Sequence, residues 1–152
     1  MEGTRPAEVW GPVVDGSPAR LAETHISWLF LIGDRTYKLK KPVTLDFLDF
    51  STREAREAAC RREVELNRRL APDVYLGVAD VSGADGTPCD HLVVMRRMPD
   101  ERRLSTLVQQ GADARDSLRA LARLLANFHS SAVSSAEISS AGTVDATRAR
   151  WK

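Results

Sequence analysis

The chain has 152 residues, of which 43% are hydrophobic and 28% charged, and its formal net charge is +1. This composition is typical of one soluble globular domain and argues against a nucleic-acid-binding protein, which usually carries a clear basic excess. The two cysteines have no short spacing, so they indicate neither a disulfide framework nor a metal motif, and a reducing, cytoplasmic location is expected. The start lacks the features of a signal peptide, and the longest apolar run, WLFLI, is too short to span a membrane.

The N-terminal third of the chain predicts an irregular arm followed by a β-hairpin. Residues 1–22 are rich in proline and glycine and have no clear periodicity. Two β-rich runs follow, and together they read THISWLFLIGDRTYKLKK. Gly33 and Asp34 separate the two runs, and this dipeptide is typical of a hairpin turn.

Three lysines lie in the second of these runs, between segments that are otherwise apolar. Because side chains alternate along a strand, Lys38 and Lys40 share one face and Lys41 points to the other. We expect Lys41 to be solvated. The two lysines on the shared face either form the wet side of an edge strand or point at a negatively charged group.

A helix is predicted from Ser51 or Thr52 to about Leu70, ending before Pro72. Glu63 falls within an apolar stripe of this helix, whose members at helical spacing are Ala55, Ala59, Leu66 and Leu70. A carboxylate that points inward needs a partner, and a lysine of the preceding strand could supply it. The alternative is a solvated glutamate at the edge of the stripe.

The remaining sequence predicts two strands, two helices and a loose tail. The strands are DVYLGVADV and HLVVMRRM, and turn residues separate them. A short helix is predicted at 105–110 and a longer one at 113–130, whereas the Ser/Ala-rich residues 131–152 are expected to be loose. Paired hairpins rather than alternating βα units favour an α+β fold, in which one helix packs on an antiparallel sheet.

Neither the histidines nor the cysteines predict a catalytic or metal site. His25, His91 and His129 are far apart and lack the spacing of metal ligands, so no metal is expected. Cys60 lies on an arginine-rich helix, where its neighbours could lower its pKa, and the alternative is an ordinary helix cysteine.

Several ordered stretches resemble a known family. They are ETHISWLFL, YKLKKPV, FLDFSTREAR, CRREVELNRRLAPDVYLGV and VVMRRM, and they lie within residues 23–129. They resemble the aminoglycoside phosphotransferase family, which has a protein-kinase-like fold, and more closely the N-terminal part of the bacterial members that are often fused to a P-loop ATPase or kinase domain. The resemblance implies a kinase-like small lobe at 23–98 and the first helices of the large lobe at 99–130.

The resemblance also implies roles for individual residues in binding ATP. Lys38 is similar to the strand lysine that holds the α- and β-phosphates, with Lys40 as its rival, and Glu63 is similar to the helix glutamate that steadies this lysine. The other implied contacts come from Thr36 on the adenine side, from a glycine-free phosphate loop with Thr24, His25 and Ser27, and from a hinge formed by Met95, Arg96, Arg97 and Met98.

The family's catalytic and metal-binding aspartates have no counterpart in the chain. The His-Gly-Asp motif of the catalytic loop does not occur in the sequence. We therefore expect a chain truncated before that loop, without catalytic residues, inactive alone, and binding Mg²⁺ only together with the missing lobe. Expected partners are a nucleotide, a small-molecule acceptor with a hydroxyl group, and the missing lobe or a fused P-loop domain. The alternative is a non-catalytic nucleotide-binding or protein-interaction module.

Overall fold

A computed structural model describes residues 19–149. The chain divides into two compact units, one that ends at Asp100 and one that begins at Glu101. A short 3-10 helix, Asp100–Arg102, lies at the boundary in sequence. Most of the predicted arm, residues 1–18, lies outside the described residues.

Over its described residues, 19–100, the first unit contains one long helix and seven strands. The helix is α1 (Arg53–Arg68), and the strands are β1 (Arg20–Glu23), β2 (Ser27–Ile32), β3 (Arg35–Lys40), β4 (Thr44–Leu45), β5 (Leu48–Asp49), β6 (Tyr75–Ser82) and β7 (Pro88–Arg96). Five strands form one antiparallel sheet in the order β1-β2-β3-β7-β6, and β4 and β5 form a separate small hairpin. The predicted α+β class, with a helix on an antiparallel sheet, is confirmed.

The β2–β3 hairpin turns where the sequence predicts it. Ile32 and Arg35 are the last paired residues, so Gly33 and Asp34 form a two-residue loop. Gly33 has a φ of 53°, in the left-handed region where glycine carries no steric penalty. The irregular arm, however, was predicted too long, because Arg20–Glu23 is a strand that pairs with β2.

Helix α1 begins at a side-chain cap and packs on β6 and β7. The Thr52 hydroxyl accepts a hydrogen bond from the amide of Ala55 at 3.1 Å, which satisfies one free donor of the first turn. The core cluster consists of Cys60, Val64 and Val93, with Tyr75, Val78 and Met95 packed against it.

The predicted apolar stripe of this helix is wrong in register. Leu66 and Leu70 are exposed, and the buried positions are instead Arg56, Cys60 and Val64. Glu63 nevertheless faces inward. It lies one turn after the buried Cys60 and next to the buried Val64, so it borders the buried face of the helix. The large leucines suggested the wrong face because the buried face uses smaller side chains and a paired arginine.

The second unit is helical. Its helices are α2 (Leu104–Gln109), α3 (Arg115–Ser130), α4 (Ala136–Ala141) and α5 (Val144–Ala149). The first two confirm the predicted helices, whereas α4 and α5 contradict the predicted loose tail. Ser135 explains part of this error, because its side chain caps α4 by accepting from the amide of Ile138 at 3.1 Å. Within residues 19–149, no helix is long and apolar enough to cross a membrane.

Candidate functional site

Two lysines of β3 converge on one carboxylate of α1. The Nζ atom of Lys38 lies 2.9 Å from Oε1 of Glu63, and the Nζ atom of Lys40 lies 2.7 Å from Oε2. The predicted lysine–glutamate pair between strand and helix is therefore confirmed, and it involves both candidate lysines. We call Lys38, Lys40 and Glu63 the charge triad.

The fold positions the triad through two simple periodicities. β3 is the central strand of the five-stranded sheet, so its backbone is held on both sides, by β2 and β7. Residues two apart on this strand point to the same face, which directs Lys38 and Lys40 towards the helix. Glu63 meets them because it lies on the inward side of α1.

Burial distinguishes the two lysines. The Lys40 side chain is 5% exposed, that of Lys38 is 25% exposed, and that of Glu63 is 15% exposed. The Lys40 ammonium also lies 5.0 Å from the centre of the Phe50 ring, a cation–π distance. Lys38 is thus the member of the triad that solvent or a ligand can reach, and Lys40 is enclosed.

The triad carries one more positive charge than negative charge when all three groups are ionised. Burial acts to raise the pKa of Glu63, but the hydrogen bonds from Lys40 and Lys38, together with their charges, outweigh burial and leave this pKa lowered. The carboxylate is therefore ionised at neutral pH. A further anion placed near Lys38 would complete the charge balance.

Two residues predicted to contact a nucleotide lie on the same face of the sheet as the triad. Thr36, two residues before Lys38, is buried. Ser27 pairs directly with Lys40 in the β2–β3 ladder and is fully buried. Its hydroxyl has no hydrogen-bond partner within the described residues.

The other two residues of the predicted phosphate loop differ in their surroundings. The Thr24 hydroxyl donates to the carbonyl of Ser27 at 3.1 Å and accepts from the Ser27 amide at 3.0 Å, so it closes the turn into β2. His25, between them, is exposed. Of the three residues proposed for this loop, Thr24 and His25 are exposed and Ser27 is buried.

The predicted hinge straddles the end of β7. Met95 pairs with Thr36 on β3. The backbone amide of Arg96 donates to the carbonyl of Val74 at 2.9 Å, and that of Arg97 donates to the carbonyl of Asp34 at 2.8 Å. Met98 follows the strand and is exposed. These two amides thus already donate to carbonyls beside the sheet, so an adenine edge would have to meet other backbone groups of this segment.

Lys41 is not solvated as expected. Its side chain is 14% exposed, pairs with Glu23 of β1, and places its ammonium 5.3 Å from the centre of the Trp28 ring. The sequence did not suggest this pairing. Glu23 ends strand β1, and the other residues of β1 were predicted to belong to the irregular arm. Lys41 does lie on the face opposite the triad, as the alternation predicts.

A second polar cluster at the helix–sheet contact was missed by sequence reasoning. His91 of β7 is buried, with Nδ1 at 2.9 Å from Oδ1 of Asp80 and Nε2 at 3.4 Å from Oε2 of Glu57, a separation without a hydrogen bond. Nearby, Arg56 pairs with Asp90 at 3.0 Å. The sequence did contain one indication of this cluster. His91 begins the apolar run HLVVM, and a histidine at the start of a buried strand indicates an imidazole that needs a polar partner.

Cys60 is an ordinary core cysteine rather than an activated one. It is fully buried, and its Sγ lies 3.8 Å from the carbonyl oxygen of His91. Burial is the main cause that raises the pKa of its thiol, despite the opposing charge of Lys40. Among residues 19–149, no group of three or more histidine, cysteine or acidic side chains is arranged to hold a metal ion.

Comparison with known proteins identifies relatives but no function. Uncharacterized proteins of Mycobacterium tuberculosis and Mycobacterium bovis are 45% identical to the chain over 140 residues, which is 92% of this chain. The chain spans 28% of the length of these relatives. No family model matches the chain. No solved structure matches it either.

Proposed function

We propose that the chain is the ATP-binding portion of a small-molecule kinase similar to the aminoglycoside phosphotransferases, with residues 23–98 as its kinase-like small lobe. The observation that carries the proposal is the charge triad, in which two lysines share one glutamate and Lys38 is the more exposed of the two. The sequence stretches that resemble the family contain all three of these residues.

The chemistry of phosphate binding supports this assignment. Phosphoryl transfer depends mainly on positioning and on stabilisation of negative charge, and a lysine ammonium is a compact point charge suited to a phosphate oxygen. A central strand gives that charge a rigid base. Since Glu63 already has Lys40 as a second partner, Lys38 is the lysine that we assign to the phosphates, with Thr36 and residues 95–98 on the nucleoside side.

The proposal restricts this chain to binding. The sequence contains no His-Gly-Asp motif for an acceptor hydroxyl, so we propose that transfer of the γ-phosphoryl group, and binding of Mg²⁺ at the protein, need further residues. The acceptor belongs to the same proposal and is a small molecule with a hydroxyl group. The relatives are much longer than the region they share with this chain, which is consistent with chemistry that lies elsewhere in such proteins.

Isothermal titration calorimetry with Mg-ATP, ADP and AMP tests the proposal. We expect wild-type protein to bind ATP and ADP more tightly than AMP, because Lys38 is assigned to the α- and β-phosphates. Lys38→Met should abolish this preference. Lys41→Met is the control, because it removes a lysine charge from the opposite face of the sheet, where the side chain pairs with Glu23 and not with Glu63. Equal affinities for all three nucleotides, or an equal loss of affinity in both variants, would contradict the proposal.

A second candidate function is a non-catalytic protein-interaction module, and the surface of α3 favours it. Leu118, Leu121, Leu124 and Leu125 are exposed along this helix although they recur at helical spacing. Exposed apolar patches of this kind are typical of interaction sites. Light scattering coupled to size-exclusion chromatography tests this candidate, since a module adapted to keep this face free for a partner stays monodisperse, and association that grows with protein concentration would contradict it.

A further inference from the structure

We propose that a groove beside helix α1 binds an acidic segment of a partner protein, one that carries both carboxylates and apolar side chains. The groove lies within the first unit, between α1 and β6, and has a volume of about 580 Å³. We call it the arginine groove. Its principal lining residues are Arg61, Arg62, Glu65, Arg68, Val64 and Val78. None of them belongs to the charge triad, so the proposal does not depend on nucleotide binding.

Helical periodicity arranges the polar side chains of the groove in one row. Ala58 also lines the groove, and residues 58, 61, 65 and 68 follow one another at intervals of three or four residues, with Arg62 beside them. Residues at this spacing share one face of a helix. The row is about 15 Å long, which matches about five residues of an extended peptide. The arginine groove is therefore suited to a linear ligand.

The charge of the groove selects an acidic ligand. Three arginines and one glutamate line it, an excess of two positive charges, although the whole chain carries only +1. Arg61 pairs with Glu57 at 2.7 Å and Arg62 with Glu65 at 2.8 Å, and such exposed pairs contribute little to stability, so both arginines can turn to other carboxylates. Arg68 is exposed, and over residues 19–149 no carboxylate pairs with it.

The floor of the groove is apolar. Val64 is buried in the core cluster, and Val78 packs against that cluster. A bare phosphate or another small anion gains nothing from such a floor. A peptide that carries aliphatic side chains between its carboxylates covers the valines and meets the arginines at the same time, so it uses both parts of the site.

The strand beside the groove favours a peptide over a nucleic acid. Val78 belongs to β6, the outermost strand on its side of the five-stranded sheet. Among the described strands, β6 pairs with β7 alone, so no strand pairs with the backbone groups on its other side. An extended protein segment can pair with such an edge, whereas a nucleic acid has no matching row of amide and carbonyl groups.

Fluorescence anisotropy with designed peptides tests the proposal. The probe is a fluorescein-labelled peptide of about eight alternating leucine and glutamate residues, which is long enough to cover the row. The titration is made at about 0.15 M salt, where long-range attraction between exposed charges is largely screened. We expect saturable binding of this probe by the wild-type chain. A peptide with serine in place of leucine should bind about tenfold more weakly or less, because it leaves the floor uncovered. A peptide with lysine in place of glutamate should not bind.

Two variants place a carboxylate in the row. Arg68→Glu and Ala58→Glu both change exposed positions, so both should fold like the wild type. Each should weaken the probe by about tenfold or more, because like charges that meet across an interface are costly. Arg119→Glu is the matched control. It makes the same change of charge at an exposed arginine of the second unit, and it should bind the probe as the wild type does.

Several results would overturn the proposal. They are the absence of saturable binding by the wild-type chain, equal affinity for the leucine and serine peptides, and an equal loss of affinity in Arg119→Glu. A single-stranded oligonucleotide that binds more tightly than the probe, and is equally sensitive to Arg68→Glu, would assign the groove to nucleic acid instead. ATP enters none of these titrations, so they stand or fall separately from the proposed nucleotide site.

Discussion

Replacing Glu63 by glutamine should destabilise the first unit strongly at neutral pH. The substitution preserves shape but removes the charge that two ammonium groups share at 2.9 Å and 2.7 Å. Hydrogen bonds to charged groups contribute roughly 1.5–3 kcal/mol each, so the two bonds together set an upper value of roughly 3–6 kcal/mol. The amide oxygen still accepts one hydrogen bond, and released Lys38 reaches solvent. We therefore expect a loss of about 2–4 kcal/mol.

Urea denaturation followed by circular dichroism measures this loss. The control is Glu65→Gln on the same helix, because Glu65 is exposed and pairs with exposed Arg62 at 2.8 Å. Pairs of that kind contribute about 0–1 kcal/mol. If the two variants lose the same small amount of stability, the triad is not a significant source of stability and the reasoning fails.

The same variant predicts a dependence on pH with a definite sign. The pKa of Glu63 is lowered in the folded state, so its contribution is fully present above the ordinary value of 4.5 and is lost as pH falls through the lowered pKa. The stability difference between wild type and Glu63→Gln should therefore shrink below pH 4.5. A difference that stays constant down to the lowest pH at which the wild type remains folded would contradict this.

Three further predictions concern the core and the helix cap. Cys89 is exposed, whereas Cys60 is buried and the pKa of its thiol is raised. Iodoacetamide at mildly alkaline pH should therefore label Cys89 quickly and Cys60 only after unfolding. Mass spectrometry that finds both cysteines labelled at the same rate would contradict this. Val93→Ala should cost about 2 kcal/mol in urea denaturation, because Val93 is fully buried between helix and sheet, and a loss close to zero would refute its place in the core. Thr52→Ala should cost about 1 kcal/mol by removing the cap of α1, whereas Thr52→Ser should cost little, and equal losses would contradict the capping role.

Local patterns predicted most of the first unit. The Gly33-Asp34 turn and the alternation of Lys38 and Lys40 follow from residues close in sequence, whereas the inward position of Glu63 was expected from a stripe whose register is wrong. A pair between Glu63 and one strand lysine was also expected, because an inward carboxylate needs a cation, but the structure adds the second lysine to the same carboxylate.

Contacts between distant residues could not be predicted in the same way. Arg56 is buried and pairs with Asp90, on a strand far along the chain. The sequence does not show this partner, so the buried face of the helix was predicted at the leucines instead. Lys41 is only 14% exposed because Glu23 of β1 and Trp28 of β2 lie against it. Which lysine of the triad is accessible also depends on Phe50, and no spacing in the sequence indicates that contact.

The most direct test of the central claim is NMR of the lysine side chains during titration with ATP. The resonances of Lys38 and Lys40 are assigned by their loss in Lys38→Met and Lys40→Met. The account predicts that ATP shifts the Lys38 ammonium and ε-methylene signals strongly, those of Lys40 weakly, and those of Lys41 not at all. ATP binding that leaves the Lys38 signals unchanged would contradict the assignment of this lysine to phosphate.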